Sequence, residues 1–400
     1  MSESVPQAEE LLAGRATSRG TRRYADALAL RLEAQGRAAA EDHFARPDDL
    51  WLSSISLGTL RGDPGGIDDL LYRSVVGDLL EAGTNVFNTA LSDRMQTSER
   101  AIGHALRRAI REDRAARDEI VVITKGGALT PDPDRATDYV SAQRDLISTY
   151  IDSGVVSPED IHRGHSLDPG FLLDQILRSR RNLGLETIDY YLIQEPEVHL
   201  KDLGVDGFRD ALERAFAALE EAVERGWIGA YGLSTWEGFL VPDNDRNHLG
   251  LVEIFQAALD VGHGDHHLRA IQLPYGLAMG EGVALESQLG PDGMGRAILD
   301  SLQDTGTAVF ASAPLYGGRL VGQVPDFVRR AFPEAPTSTT AALQFARSTA
   351  AVTSAVVGMR EAAHVEENLE LASIPRAHPE IAGRLFAAAA EAQTVEAGRS

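Results

Sequence analysis

Lys125 is the residue of this sequence whose type and position most clearly allow chemistry. It closes the run 119–124, an apolar and β-branched stretch that is typical of a strand buried on both faces of a parallel sheet. The 400-residue chain otherwise uses 36 arginines and a single further lysine for positive charge. An arginine stays protonated, whereas a desolvated lysine can lose its proton and act as a base or nucleophile. The pattern therefore predicts a functional ammonium at the C-terminal end of a buried strand, where reactive groups of α/β proteins collect.

Eight strand-like segments, several of which also end on polar residues, alternate with helical patterns along the chain. The predicted strands are 51–57, 85–88, 120–125, 188–194, 228–234, 270–273, 308–312 and 354–357. The predicted helices are 70–82, 98–111, 170–183, 208–225, 293–303, 339–348 and 362–372. This alternation indicates the α/β class, and it favours a closed (β/α)8 TIM barrel over an open doubly wound sheet.

The barrel is expected to occupy one domain, 49–400, after an N-terminal extension, 1–48. Within the extension, 24–44 is predicted to form a helix outside the barrel. The long loop after strand 3, 126–168, exceeds a simple βα connection, so we expect it to shape a substrate cavity or a lid. A C-terminal helix is predicted over 379–397.

Composition narrows the partners of this protein. The net charge of −22 and the pI near 4.9 argue against nucleic acid and anionic membranes, because both would repel such a surface. The sequence has no cysteine, which excludes disulfides, thiolate metal sites and cysteine nucleophiles. It also has no apolar stretch long enough to span a membrane, and its acidic N-terminus lacks the apolar core of a signal peptide. We expect a cytoplasmic protein with a small-molecule substrate, and its oligomeric state stays open.

Two further motifs carry less weight. The run 263–267 contains three histidines, but it precedes the sixth strand and so falls on the barrel face opposite the reactive strand ends. We therefore predict a surface loop there and no metal site. The glycine-rich run 58–66 lacks the Lys-Ser/Thr pair of a P-loop, and we interpret it as the first βα loop.

Five blocks of the sequence resemble the aldo-keto reductase family. FNTALSDRMQTSERAIGHAL, 87–106, resembles the family pattern F-D-T-A-x-x-Y-G-x-x-x-S-E-x-x-I-G-x-A-L. The other four blocks follow in the family's order: VVITKGG at 121–127, SRRNLGLETIDYYLIQEPE at 179–197, GAYGLSTW at 229–236 and VVGMREAAHVEENLELA at 356–372. Five ordered blocks are more specific than any one glycine motif. The resemblance implies a (β/α)8 barrel of the aldo-keto reductase type, in agreement with the strand count.

The family reduces aldehydes and ketones with NADPH, using an Asp, a Tyr, a Lys and a His at successive strand ends. The resemblance places Asn88 at the aspartate position, Asp93 at the tyrosine position, Lys125 at the lysine position and Gln194 at the histidine position. Three of the four types are thus changed. A carboxylate that is ionised near neutral pH cannot donate the proton that a phenol would. The resemblance therefore implies a site whose proton transfer has been rebuilt.

The part of the pattern that binds the coenzyme is better preserved, so the resemblance implies NADP(H) as cofactor. The corresponding positions are Ser234, Gln272, Ser312, Gly358, Met359, Arg360, Glu367 and Asn368. Ser312 stands where the family has an aromatic residue against the nicotinamide. An arginine together with backbone N–H groups at a helix start can still bind the 2′-phosphate.

Several roles remain open for the changed residues. If Asp93 pairs with Lys125, the site suits proton abstraction, dehydration or elimination, whereas Gln194 can donate a hydrogen bond but cannot shuttle a proton. Asn88, Asp93 and Gln194 could also line a polar cavity without chemistry. The residues predicted for the substrate pocket are Arg94, Glu195, Trp236 and His165.

Three functions follow from these alternatives. The first is an atypical NADP(H)-dependent oxidoreductase of a small carbonyl or hydroxyl metabolite. The second is a redox-silent lyase, dehydratase, isomerase or cyclase in specialised metabolism. The third is a non-catalytic NADP(H) sensor.

Overall fold

A closed barrel of eight parallel strands forms the centre of the molecule. The computed structural model describes residues 11–290, 292–303, 305–381 and 383–385. The barrel strands, in the order in which they neighbour one another, are β3 (Ile55–Gly58), β4 (Val86–Asn88), β5 (Val121–Gly126), β6 (Ile188–Gln194), β7 (Ile228–Ser234), β8 (Leu268–Pro274), β11 (Ala308–Ser312) and β12 (Val352–Val357). Each coincides with a predicted strand, and the closure between β12 and β3 confirms the predicted (β/α)8 barrel.

The side chains alternate between the two faces of each strand, and this alternation decides which residues reach the mouth of the barrel. Alternate apolar side chains point inward and pack together: Val86, Val121, Ile123, Tyr190, Leu192, Ala230, Ala270, Ala308, Phe310 and Val356. Because successive side chains point to opposite faces, the next inward position along each strand belongs to its C-terminal end. The inward positions at these ends are Asn88, Lys125, Gln194, Ser234, Gln272, Ser312 and Gly358, with Gly232 lying between Ala230 and Ser234 on β7.

The helices surround the barrel and bury their apolar sides against its outer face. The α-helices are α1 (Ser18–Ala34), α2 (Gly66–Ala82), α3 (Thr97–Arg111), α4 (Tyr139–Leu146), α5 (Pro169–Leu183), α6 (Leu200–Glu224), α7 (Leu251–Gly262), α8 (Glu281–Ala284), α9 (Ile298–Leu302), α10 (Asp326–Ala331), α11 (Ser338–Ser348) and α12 (Ala362–Leu369). Among the described residues, no helix is both long and apolar enough to cross a membrane.

The predicted helix 293–303 is wrong over its first half. Gly293 has a φ of +76°, and the side chain of Asp292 accepts a hydrogen bond from the backbone N–H of Met294. These are turn conformations, so the chain reverses there and the short strands β9 (Gln288–Leu289) and β10 (Gly295–Arg296) pair antiparallel. Only α9 remains helical in this stretch.

The N-terminal segment packs on the barrel. Its helix α1 ends at Ala34, ten residues before the predicted end, and Tyr24, Leu28 and Leu32 are buried. The Tyr24 hydroxyl donates to the carbonyl of Leu80 at 2.6 Å, which ties α1 to α2. Two short antiparallel strands, β1 (Phe44–Ala45) and β2 (Leu52–Ser53), precede the barrel. Most of the predicted C-terminal helix 379–397 lies outside the described residues.

Candidate active site

A cavity of about 610 Å³ opens at the C-terminal ends of the barrel strands. Its wall continues from the end of β5 to the loop after β12, so the predicted catalytic and coenzyme positions share one space. The predicted site residues that line it are Asn88, Asp93, Lys125, Gln194, Glu195, Ser234, Trp236, Gln272, Ser312, Gly358, Arg360, Glu367 and Asn368.

Lys125 is held at the bottom of this cavity by two oxygen atoms. Its ammonium donates to Asn88 Oδ1 at 2.6 Å and to the backbone carbonyl of Thr89 at 2.8 Å. The amide nitrogen of Asn88 in turn donates to Gln272 Oε1 at 2.8 Å. The side chain at the family's aspartate position therefore still contacts the lysine, but it supplies a neutral acceptor instead of a counter-charge.

Asp93 does not form the direct ion pair that the sequence allowed. Its carboxylate accepts a hydrogen bond from Thr59 Oγ1 at 2.9 Å, and no contact within ion-pair distance joins it to Lys125. Asp93 lies five residues beyond the end of β4, where the chain has already turned toward α3, and this path keeps the two groups apart. The two charges therefore interact only through space.

Burial controls the protonation of both groups. Desolvation lowers the pKa of Lys125 to about 8, although the negative charges of Asp93 and Glu99 act in the opposite direction. Desolvation also raises the pKa of Asp93, against the opposing effects of Lys125 and of the Thr59 hydrogen bond. The Lys125 ammonium therefore releases its proton more readily than an ordinary lysine does. The site thus contains a group that titrates close to neutral pH.

Two hydrogen bonds, one to the side chain and one to the backbone carbonyl, hold Gln194 in place. Ser92 Oγ donates to Gln194 Oε1 at 2.7 Å, so the amide nitrogen remains as the donor for the cavity. The backbone carbonyl of Gln194 lies 2.5 Å from His165 Nε2. The following residue, Glu195, has a φ of +45°, a left-handed conformation that turns its side chain back to the cavity wall.

The prediction that His165 lines the substrate pocket is wrong. His165 is 5% exposed and lies behind Gln194, where its Nδ1 is 2.7 Å from Nε2 of His199. A carbonyl can only accept, so His165 Nε2 carries the hydrogen, and His199 must then donate to His165 through its own Nε2. His199 Nδ1 is left as a buried lone pair without a partner among the described residues. Burial, followed by the neighbouring imidazoles, lowers the pKa of His165 to about 3 and that of His199 to about 4.

Arg94 and Met359 also lie away from the cavity. Arg94 forms an ion pair with Asp69, donates to the carbonyl of Asp63 at 2.9 Å and stacks over the ring of Tyr72. Its side chain is 1% exposed, because this pairing draws it beneath the first βα loop. Met359 is fully buried in the apolar core, so only its backbone could face a coenzyme.

At the other end of the cavity, polar groups from α2, the loop after β12 and α12 come together. Arg360 Nη1 donates to Asp68 Oδ1 at 2.6 Å, and Glu367 Oε1 accepts from Thr337 Oγ1 at 2.6 Å. The side chain of Asn368 is buried, and its Oδ1 has no hydrogen-bond partner among the described residues. An unpaired buried amide oxygen in a cavity wall is suited to accept from a ligand N–H.

Comparison with known proteins agrees with this arrangement. A sequence model of the Aldo/keto reductase family matches residues 54–239. Over these residues the chain is similar to aldo-keto reductases. A D-threo-aldose 1-dehydrogenase from a Pseudomonas species is 27% identical over 337 residues, which cover 79% of this chain and 85% of that protein.

Solved aldo-keto reductases share the fold of this protein at low sequence identity. The Klebsiella pneumoniae enzyme, crystallised with NADP and acetate, is 19% identical with a TM-score of 0.56, covering 86% of this chain and 95% of that structure. AKR11C1 from Bacillus halodurans in its holo form is 17% identical with a TM-score of 0.55, covering 86% and 94%. At these identities the likeness establishes the barrel alone.

The long segment after β5 does not shape the cavity or cover it as a lid, contrary to expectation. None of the described residues 127–168 lines the cavity. The segment folds into α4 and a π-helical turn, Ile147–Ile151, and packs against the outer helix α5. Tyr150 anchors it, because its buried ring packs edge-on against Phe171 and its hydroxyl donates to the carbonyl of Thr130 at 3.0 Å.

Two other loops form much of the cavity wall. The loop after β3 contributes Thr59 and Arg61, and the loop after β11 contributes Tyr316 and Arg319. The Arg319 guanidinium lies 5.2 Å from the centre of the Tyr316 ring. The glycine-rich run 58–66 signalled the first of these loops. The second has a comparable signal in the sequence, the consecutive glycines Gly317 and Gly318, and both have a positive φ.

Proposed function

We propose that this protein is an atypical NADP(H)-dependent oxidoreductase of the aldo-keto reductase type, which acts on a small carbonyl or hydroxyl metabolite. The observation that carries the proposal is the position of Lys125. Its ammonium stands at the bottom of the cavity and is linked through Asn88 to Gln272, one of the predicted coenzyme positions. The proton donor and a residue that binds the coenzyme would thus belong to one chain of hydrogen bonds.

The residues present fit a dinucleotide. Asn368 offers the unpaired buried oxygen that an amino group of an adenine ring could satisfy, and Gly358 is exposed beside Arg360 at the end of β12. Ser234 and Gln272, at the ends of β7 and β8, would hold the carboxamide end. When bound, NADPH supplies a hydride to a carbonyl carbon.

Lys125 is the proposed proton donor for the carbonyl oxygen. A pKa of about 8 keeps most of the ammonium protonated at neutral pH, yet it allows the proton to leave more readily than from an ordinary lysine. Two of its three N–H bonds are engaged by Asn88 and Thr89, which leaves one for a substrate oxygen. Asp93 would favour the charged form, and the Gln194 amide would orient the same oxygen. In the oxidative direction Lys125 would take back the hydroxyl proton.

The cavity wall supports a polar, hydroxylated substrate. Asp93, Gln194 and Glu195 present acceptors and a donor beside Lys125, and Trp236 adds an exposed ring. The relative named D-threo-aldose 1-dehydrogenase acts, by its name, on an aldose. We therefore place aldoses and related polyhydroxylated aldehydes first among the candidate substrates.

Steady-state rates with NADPH and a panel of aldehydes, and with NADP⁺ and a panel of aldoses, test this function. Lys125→Met is expected to abolish turnover, and Asp93→Asn is expected to lower kcat by a factor of about 10 or more, because it removes the counter-charge. Lys201→Met is the matched control, since Lys201 is exposed on α6. Retention of full activity by Lys125→Met would refute the proposed role.

A redox-silent lyase or isomerase is the second candidate, and the lowered pKa of Lys125 favours it. At pH 8 about half of such a side chain is a free amine, which can act as a base or add to a carbonyl. Calorimetric titration separates the two functions. If neither NADPH nor NADH binds at millimolar concentration while Lys125 remains necessary for turnover, the redox-silent function replaces the first.

A further inference from the structure

The Asp68 carboxylate holds the guanidinium of Arg360 at the rim of the cavity. Asp68 lies in the first turn of α2, and Arg360 lies 292 residues later in the loop after β12. Besides the 2.6 Å contact between Arg360 Nη1 and Asp68 Oδ1, the second carboxylate oxygen accepts from the backbone N–H of Asp63 at 2.8 Å. Both oxygens of Asp68 are therefore fixed, and its side chain is 11% exposed.

The backbone of the first βα loop passes directly over this ion pair. Gly62 has a φ of +109°, and a Cβ atom there would lie 2.7 Å from Asp68 Cγ and 2.8 Å from Arg360 Nη1. A side chain at this position would displace the ion pair, so the contact between Asp68 and Arg360 requires glycine at position 62. The contact is therefore built into the rim from three separate segments, and it differs in this respect from an ordinary exposed salt bridge.

We propose that Asp68 competes with the 2′-phosphate of NADPH for Arg360, so that the site binds NADH and NADPH with similar affinity. The inference rests on the proposed function and on the expectation from the sequence that Arg360 binds the 2′-phosphate. Carboxylate and phosphate both bind the guanidinium through its fork of N–H donors, and the charge of Asp68 also repels a phosphate. NADH carries only a hydroxyl at that position, so its binding does not require Arg360 to be released.

The test measures dissociation constants for 2′,5′-ADP, 5′-AMP, NADPH and NADH by calorimetry in wild type, Asp68→Asn and Asp68→Ala. The second variant removes the carboxylate without placing an amide NH2 against the guanidinium. We expect 2′,5′-ADP and NADPH to bind about fivefold more tightly to both variants, while 5′-AMP and NADH stay within about twofold, because Arg360 is 35% exposed and its pairing is partly screened.

Asp63→Asn is the matched control, because it removes the same charge from an exposed side chain of the same loop. It should leave the ratio of the NADPH and NADH affinities unchanged. Equal tightening of 2′,5′-ADP and 5′-AMP in the Asp68 variants would overturn the inference as a general charge effect. Weaker binding of 2′,5′-ADP would overturn it as well, because Asp68 would then orient Arg360 toward the phosphate.

This experiment distinguishes failure of the proposed function from failure of the competition at Arg360. If the wild type binds neither NADPH nor NADH, the proposed function fails and this inference fails with it. If the wild type binds NADPH and the ratio of the two affinities is the same in the Asp68 variants, only the competition at Arg360 is refuted.

Discussion

Replacing Lys125 by methionine is expected to remove one pH-dependent contribution to stability. The folded protein holds this side chain with a pKa of about 8, whereas its usual value is 10.5. Between these two pH values the unfolded chain binds a proton at Lys125 that the folded protein does not. The free energy of unfolding of the wild type therefore rises with pH in this window, and the cost of burying the ammonium is fully present below pH 8.

The size of this contribution follows from the same two values. The difference between 10.5 and about 8 corresponds to about 3 kcal/mol in the free energy of unfolding. Methionine is unbranched and only one atom shorter than lysine, and it carries no charge, so the variant should lack this rise. The difference in the free energy of unfolding between variant and wild type should therefore change by about 3 kcal/mol between pH 7.5 and pH 10.5.

Urea denaturation at several pH values across this window measures the difference directly. Lys201→Met serves as control, because Lys201 is exposed on α6 and its curve should run parallel to that of the wild type. Subtracting the variant from the wild type cancels the titration of the tyrosines, which both proteins share. Parallel curves for Lys125→Met and the wild type would show that the ammonium is solvated or directly paired, and would refute the reasoning.

Two further predictions concern the coenzyme and the changed catalytic positions. Arg360→Ala should weaken NADPH binding in calorimetry more than NADH binding, because only NADPH carries the 2′-phosphate and the variant leaves Asp68 unpaired beside it; equal loss for both coenzymes would contradict this. The combined change Asn88→Asp, Asp93→Tyr and Gln194→His should raise NADPH-dependent reduction of simple aldehydes, because it restores the phenol donor of the family. If the wild type already reduces such aldehydes rapidly and Asp93→Ala does not slow it, these substitutions have not redirected the chemistry.

The sequence predicted the barrel and its inward-facing strand ends because both depend on local patterns. A run such as 120–125 shows its burial through continuous apolar residues, and the period of two then places Lys125 on the inner face. The helix α7 was missed, since it begins after Gly250 without a side-chain cap and so lacks the usual start signal.

The contacts that the sequence could not predict depend on the positions of loops to within a few ångströms. The possible pair of Asp93 with Lys125 required the turn after β4 to bring two charges together, and the turn brings Asp93 to Thr59 instead. The same holds for Asp68 and Arg360, whose contact joins the first turn of α2 to the loop after β12. No local pattern encodes such distances, because they arise from the closure of the sheet.

The two imidazoles behind Gln194 have a consequence for reading pH profiles of this enzyme. Their hydrogens all point one way, toward the Gln194 carbonyl, and their pKa values of about 3 and about 4 keep both rings neutral from pH 5 upward. This wall of the cavity is therefore electrically constant through the range in which Lys125 titrates. A rate that changes near pH 8 can be assigned to the groups that line the cavity. The two histidines behind Gln194 neither gain nor lose a proton at that pH.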